Sequence, residues 1–260
     1  VTDANESNRA PGIKTDEKKQ HFDDIYVAED PVPFKERIID ALDYVSDDFN
    51  RRAFERLVGP WADERVRRGE RLSFVDLCCC FGNTTLAVAH GMDVEGIRRN
   101  WADRERCYEI ERPRRWPMRA TGIDISGSAL AYGKRAGIFD ETIEADLNAP
   151  SGEVREAVAR SLAGADVVVS TASLVYLELD AIAAISDAFA QSSKEGRLLV
   201  NFLNPFALEK ADATKRLLLE NLDFVGSEAT RHRRLSPLER ENYPDEEWAL
   251  LEIWVLQRRV

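Results

Sequence analysis

Three aspartates stand at or near the ends of three short apolar runs. Asp76 lies within Leu72-Ser73-Phe74-Val75-Asp76-Leu77-Cys78-Cys79-Cys80, Asp124 closes Ala120-Thr121-Gly122-Ile123-Asp124, and Asp146 closes Glu141-Thr142-Ile143-Glu144-Ala145-Asp146. A carboxylate so placed accepts hydrogen bonds from an ammonium group, a ribose diol or an exocyclic amine. Two further runs are followed by small polar side chains, Ser170 through Ser173 and Asn201 to Asn204. Tyr176 comes shortly after the first of these; its ring suits a cation and its hydroxyl suits a nucleophile that must be oriented. Core packing at the start of a helix is the alternative for Tyr176. Taken singly, Asp76 also reads as a helix cap, and only the three spaced aspartates together favour a cofactor.

The elements that hold these residues follow from apolar spacing. The runs at 72–80, 120–124, 141–146, 165–170 and 197–202 are short and rich in branched side chains, as strands are. Helix-like stretches separate them: Thr84 to His90, Ser128 to Ala136, Val154 to Leu162 and Asp180 to Gln191. Strands alternating with helices of this size predict a parallel sheet covered on both faces, with ligands bound outside the carboxyl ends of the strands. Leu222 to His232 and Trp248 to Arg258 read as two strands with no helix between them, an antiparallel end to the sheet. Before the first strand, Phe34, Ile38, Ile39, Leu42, Val45, Phe54, Leu57 and Val58 recur at helical spacing and predict two or three helices. The expected organisation is a loose polar leader over 1–20, a helical cap over 21–70, and an α/β domain over 71–260 with an insertion at about 92–119. The fold class is α/β: a doubly wound, mostly parallel seven-stranded sheet with an N-terminal helical cap.

The run Val75-Asp76-Leu77-Cys78-Cys79-Cys80-Phe81-Gly82-Asn83-Thr84-Thr85-Leu86 resembles the first motif of class I S-adenosylmethionine (SAM)-dependent methyltransferases. Gly82 keeps the last glycine of that motif, whereas Cys78 and Cys80 stand where glycines are usual. Thr121-Gly122-Ile123-Asp124-Ile125-Ser126 resembles the second motif, and Glu144-Ala145-Asp146-Leu147 the third. The chain is also similar to bacterial members of the family with a cysteine-rich first motif and a leader like Tyr26…Asp30-Pro31…Leu42-Asp43-Tyr44. The resemblance implies a Rossmann-like methyltransferase fold and SAM as the cofactor. It implies cofactor contacts at Asp76, Cys78, Cys80, Gly82, Asn83, Asp124, Ile125, Asp146, Leu147 and Ser170. Asp124 would hold the ribose hydroxyls and Asp146 the adenine amine. Tyr176 and Ser173 are the candidate catalytic side chains; Tyr26, Asn201, Asn204 and Arg231 are the candidate substrate contacts. The activity implied is methyl transfer to a small-molecule acceptor, polar or acidic in character. Positioning alone supplies much of the acceleration in such an in-line displacement, and a general base is needed only where the acceptor must lose a proton.

Other chemistry is compatible with the same cofactor. A sulfonium activates all three of its attached carbons, and the substituted glycines motivate an alternative in which the γ-carbon is attacked. Intramolecular cyclisation would then yield azetidine-2-carboxylate and release methylthioadenosine. A nicotinamide enzyme is disfavoured because the first turn lacks Gly-x-Gly-x-x-Gly. A catalytically silent protein that binds the cofactor is the remaining alternative.

Acids outnumber bases 47 to 36 in the 260 residues, a formal charge of −11. Nucleic acid and anionic membranes draw basic surfaces, so neither is the expected partner. No apolar run is long enough to span a bilayer, and none follows a charged start. Val1 in place of Met suggests a processed or trimmed start. The four cysteines, Cys78, Cys79, Cys80 and Cys107, have no zinc-ligand spacing; the run of three is read as small buried strand residues, and the protein as reduced and cytoplasmic. The three histidines form no metal-spaced cluster or nucleophile set, and His90 reads as a favourable charge at a helix end. Mixed charges in the insertion read as a solvated face, and Arg231-His232-Arg233-Arg234 as a basic hairpin tip. Oligomeric state is not encoded in any of these features.

Overall fold

A computed structural model of the protein describes residues 18–259. The expected loose leader therefore falls, for residues 1–17, outside the described residues. Seven strands form one sheet: β1 (Leu72–Leu77), β2 (Met118–Asp124), β3 (Glu141–Glu144), β4 (Val167–Ser170), β5 (Arg197–Asn204), β6 (Leu222–Arg234) and β7 (Trp248–Arg258). Their order is β3-β2-β1-β4-β5-β7-β6. The first five run parallel, while β7 lies antiparallel between β5 and β6. This is the expected doubly wound sheet with an antiparallel end. Strand order reverses between β1 and β4, which marks the crevice where such sheets bind ligands.

Alternate residues of the inner strands enter two separate cores, because successive side chains of a strand point to opposite faces. Leu72, Phe74, Val167, Val169, Leu199 and Leu203 pack on one side. Val75, Leu77, Val168, Leu198, Val200 and Phe202 pack on the other, against helices Gly152–Gly164, Leu179–Ala190 and Leu208–Asn221. The last of these helices was not evident as an apolar stripe, since only Thr214 and Leu218 in it are buried.

Ahead of β1, helices Ser46–Leu57 and Gly59–Arg67 follow shorter helical turns at Asp23–Tyr26 and Val32–Asp40. The charged side chains of segment 92–119 are mostly solvated, Arg99, Arg104, Arg106, Glu109 and Arg112 among them, but the segment also packs inward. Its Trp101 and Cys107 are fully buried, and the Trp101 indole N–H donates to Tyr132 Oη at 2.9 Å. Phe34 of the cap meets Trp101 edge to face at 5.9 Å, so the insertion helps hold the cap on the sheet.

Several sequence expectations need correction. The strand through the cysteines stops at Leu77, and Cys78–Cys80 form a tight turn with Cys78 and Cys80 at positive φ (53° and 48°). Glycine is favoured in that backbone region, so two cysteines hold a conformation that side-chain-bearing residues rarely adopt. A six-residue helix, Pro237–Asn242, stands between β6 and β7; its Ser236–Glu239 capping box satisfies the first backbone donors. His90 lies beyond its helix and its Nδ1 meets the Arg112 carbonyl at 2.6 Å. Burial holds it below the usual histidine range, so it is a neutral packed imidazole and not a charge on a helix end. No helix among the described residues is long and apolar enough to cross a membrane.

Candidate functional site

A cavity of about 220 Å³ opens at the carboxyl ends of β1, β2, β3 and β4. Of the residues singled out in the sequence, Cys78, Cys80, Asn83, Asp124, Ile125, Asp146, Leu147, Ser173, Tyr176 and Tyr26 line it. The fold brings together residues from 26 to 176 because each strand ends on the same edge of the sheet.

Asp124 is the hub of the first two loops. Its Oδ2 accepts from the Cys80 backbone N–H at 2.8 Å, and its Oδ1 accepts from the Ser126 N–H at 2.8 Å. Burial raises its pKa, and backbone donors oppose that rise by favouring the charged form. The Ile125 backbone is a third donor, and the carboxylate keeps acceptor capacity beyond these bonds. Beyond β3, Asp146 Oδ1 accepts from the Asn148 N–H at 2.9 Å. Asn148 in turn donates to the Tyr176 carbonyl at 3.0 Å and accepts from the Glu178 N–H at 2.7 Å. Asn148 therefore ties the loop after β3 to the turn that carries Tyr176.

Asp76 does not line the cavity. It is buried beneath the first loop, where Thr85 Oγ1 donates to it at 2.7 Å. Asp47 of the cap sits nearby, accepting from Asn83 Nδ2 at 3.1 Å on both oxygens and from Tyr44 Oη at 3.2 Å. Burial pushes both carboxyls up to about 7 against these hydrogen bonds.

The other sequence candidates are placed differently. Gly82 also lies outside the lining; at φ +82° it turns the chain into helix Asn83–Val88. Ser170 is buried with its hydroxyl bonded to that of Ser173. Asn201 does not line the cavity and donates to Asn50 Oδ1 at 3.3 Å, and Asn204 is exposed. Arg231 is exposed too, its guanidinium 4.9 Å from the Trp248 ring centre.

Instead of Arg231, its neighbours His232 and Arg233 reach the cavity. The pairing of β6 with β7 shifts between Arg231 and Arg233, and such a bulge turns consecutive side chains to one side. The basic run is thus no solvated tip: His232 is 5% exposed and Arg233 3%. His232 Nδ1 bonds the Ser46 hydroxyl. Burial, with Arg233 and Lys19 nearby, holds His232 well below the usual range, so it is neutral. Arg233 is bidentate on the fully buried Glu239, at 2.7 and 2.8 Å.

Lys19 is a further residue the sequence did not single out. Though placed in the expected leader, it is 5% exposed and lines the cavity, with its ammonium bonded to Tyr176 Oη and 4.6 Å from that ring's centre. The Gln20 N–H donates to Glu239 Oε1 at 3.0 Å, and the Ser126 hydroxyl donates to the Tyr26 carbonyl. These bonds draw the segment from Lys19 to Tyr26 over the site. Tyr26 itself has its pKa raised by burial and by Tyr176, Cys80 and Asp124 around it.

The three adjacent cysteines all line the cavity, so they are not merely strand packing. Burial, and then the Asp124 charge, push their thiols well above the ordinary value. No group of three or more His, Cys, Asp or Glu among the described residues is placed to hold a metal ion.

No protein-family model matches the chain, and no curated protein matches it. Among solved structures, similarity is found to magnesium protoporphyrin IX methyltransferase from Synechocystis with bound SAM. That alignment has 12% identity, covers 80% of each chain and has a TM-score of 0.42. A geranyl diphosphate C-methyltransferase from Streptomyces coelicolor aligns at 13% identity over 78% of this chain and 77% of its own, with a TM-score of 0.41. TehB from Haemophilus influenzae aligns at 11% identity, over 81% and 67%, with a TM-score of 0.43.

Proposed function

We propose that the cavity binds SAM and that the protein is a methyltransferase acting on a small-molecule acceptor. The observation that carries this reading is the convergence of Asp124, Asp146 and the Cys78–Asn83 loop on one cavity beside the switch in strand order. The donor set fits the cofactor. Asp124, met by backbone donors of Cys80, Ser126 and Ile125, has acceptor capacity left for a ribose hydroxyl. Asp146 and Leu147 stand at the next strand end, where a carboxylate meets an amine beside an apolar face. Phe22, Tyr26, Phe34, Tyr44 and Tyr176 add aromatic faces suited to a sulfonium.

When bound, SAM supplies an activated methyl group. The chain's own part is to position and to exclude water. Tyr176 is the side chain we assign to orienting the acceptor, with its hydroxyl held by Lys19 and its backbone held by Asn148. Ser173, bonded to Ser170, faces the same cavity. The cap segment at Phe22 and Tyr26 closes the site from above the strand ends.

The test is incubation with SAM, with and without a panel of phenols, amines and carboxylic acids, followed by mass spectrometry. S-adenosylhomocysteine formed only with an acceptor supports methyl transfer. Methylthioadenosine formed with SAM alone would replace that reading by attack at the γ-carbon.

A further inference from the structure

Among the described residues, the cation at Lys19 has no acid to answer it. Its ammonium meets only the Gln20 carbonyl, at 3.4 Å, the Tyr176 hydroxyl, and the rings of Tyr176 and Phe206, the latter 5.9 Å from its centre. None of these partners is a carboxylate, although Lys19 is 5% exposed and borders the cavity. A buried charge without a counter-charge is costly, and ring faces offset only part of that cost.

The neighbouring basic groups do not share this need. Arg233 is neutralised by both oxygens of Glu239, and His232 is uncharged. Asp23, on the same segment, also lines the cavity but forms no ion pair with Lys19, so among the described residues Lys19 keeps an unpaired positive charge there.

That end is opposite the cofactor carboxylates. Asp124 and Asp146 belong to β2 and the loop after β3, on one side of the strand-order switch. Lys19 lies against Tyr176 after β4, Phe206 after β5 and the end of β6, on the other side. The lining of the cavity includes the apolar or aromatic side chains of Phe22, Phe34, Ile38, Tyr44 and Leu203.

We infer that the acceptor is a carboxylic acid with an apolar or aromatic body, its carboxylate seated on the ammonium of Lys19. This rests on the methyltransferase reading for the meaning of acceptor, though not for the anion site. The same chemistry exists in the carboxylate of SAM itself, and the position of Lys19 beyond β4 favours the acceptor.

The probes are benzoate, phenylacetate and hexanoate, with benzamide as the uncharged control, titrated into the wild type, Lys19→Met and Lys19→Arg, each with and without S-adenosylhomocysteine. Loss of one charge-assisted hydrogen bond corresponds to about a tenfold or greater weakening. The expected result is that at least one carboxylate binds the wild type, binds Lys19→Met about tenfold or more weakly, and is largely restored in Lys19→Arg, while benzamide does not discriminate. Equal binding by wild type and Lys19→Met, or no carboxylate binding to either, overturns the inference. So does a Lys19→Met variant that loses affinity for S-adenosylhomocysteine but not for methylthioadenosine, which would assign the cation to the cofactor. Failure of the wild type to bind S-adenosylhomocysteine would sink the methyltransferase reading instead, and the cofactor-free titrations would still decide on Lys19. Thermal melting of both variants separates a lost site from a lost fold.

Discussion

Asp124 at the end of β2 holds the Cys80 backbone N–H at 2.8 Å, so one carboxylate joins the first two strand-end loops. The residue assigned to the ribose is thereby also a brace for the turn formed by the three cysteines. Cofactor affinity and loop geometry are coupled through it.

The thiols at this turn are predicted to be inert. Burial pushes those of Cys78, Cys79 and Cys80 well above the usual range, and that of Cys107 up to about 11. A thiol-reactive chromophore at pH 8 is expected to label none of the four quickly in the folded protein and all four after denaturation. Cys78 and Cys80 are half-buried at the cavity wall, so their slow labelling rests on the raised thiol pKa; rapid native labelling would contradict that rise.

Asp47 and Asp76 make stability depend on pH. Both have folded pKa values of about 7, above the ordinary 3.8. Between those values the folded state keeps protons that the unfolded state has released, so stability falls as pH rises from about 4 to 7 and then levels off. The melting temperature is expected to decline across that window, and the double variant Asp47→Asn, Asp76→Asn is expected to flatten the decline. An unchanged slope in the variant would remove these two groups as its source.

Glu239 is predicted to be costly to neutralise. Glu239→Gln leaves Arg233 buried and poorly paired, and weakens the anchor for Gln20. Breaking a buried pair from one side costs roughly 3–5 kcal/mol, which urea unfolding would register as a lower midpoint. A loss below about 1 kcal/mol, the scale of an exposed pair, would mean that water reaches it.

Gly82 has no room for a side chain. At φ +82° its added Cβ would meet Ile138 Cγ2 at 2.8 Å and Phe139 at 3.2 Å. Gly82→Ala is expected to destabilise by roughly 1–3 kcal/mol, read by the same unfolding assay; an unchanged midpoint would show that the loop adapts.

The sequence announced those site residues whose position is set by a strand end. Asp124, Asp146 and Tyr176 are legible because parallel strands deliver the residues after them to one edge of the sheet. Lys19 is not legible, since its place depends on contacts such as that of Gln20 with Glu239, 219 residues away. His232 and Arg233 were hidden behind Arg231 because a bulge, not strand alternation, decides which of them turns inward. Asn201 and Asn204 looked equivalent by type, yet β5 extends to Asn204 and its neighbours Asn50 and β7 claim the space. The helix Pro237–Asn242 was masked by its proline, which reads as a breaker but serves as a helix start.

The most direct test of the account is calorimetric titration of S-adenosylhomocysteine into the wild type and Asp124→Asn. Saturable one-to-one binding by the wild type is expected, weakened about tenfold or more in the variant as a charged acceptor is lost, with the fold retained. No binding by the wild type would contradict the cofactor assignment, and equal affinity in the two proteins would contradict the assignment of Asp124 to it.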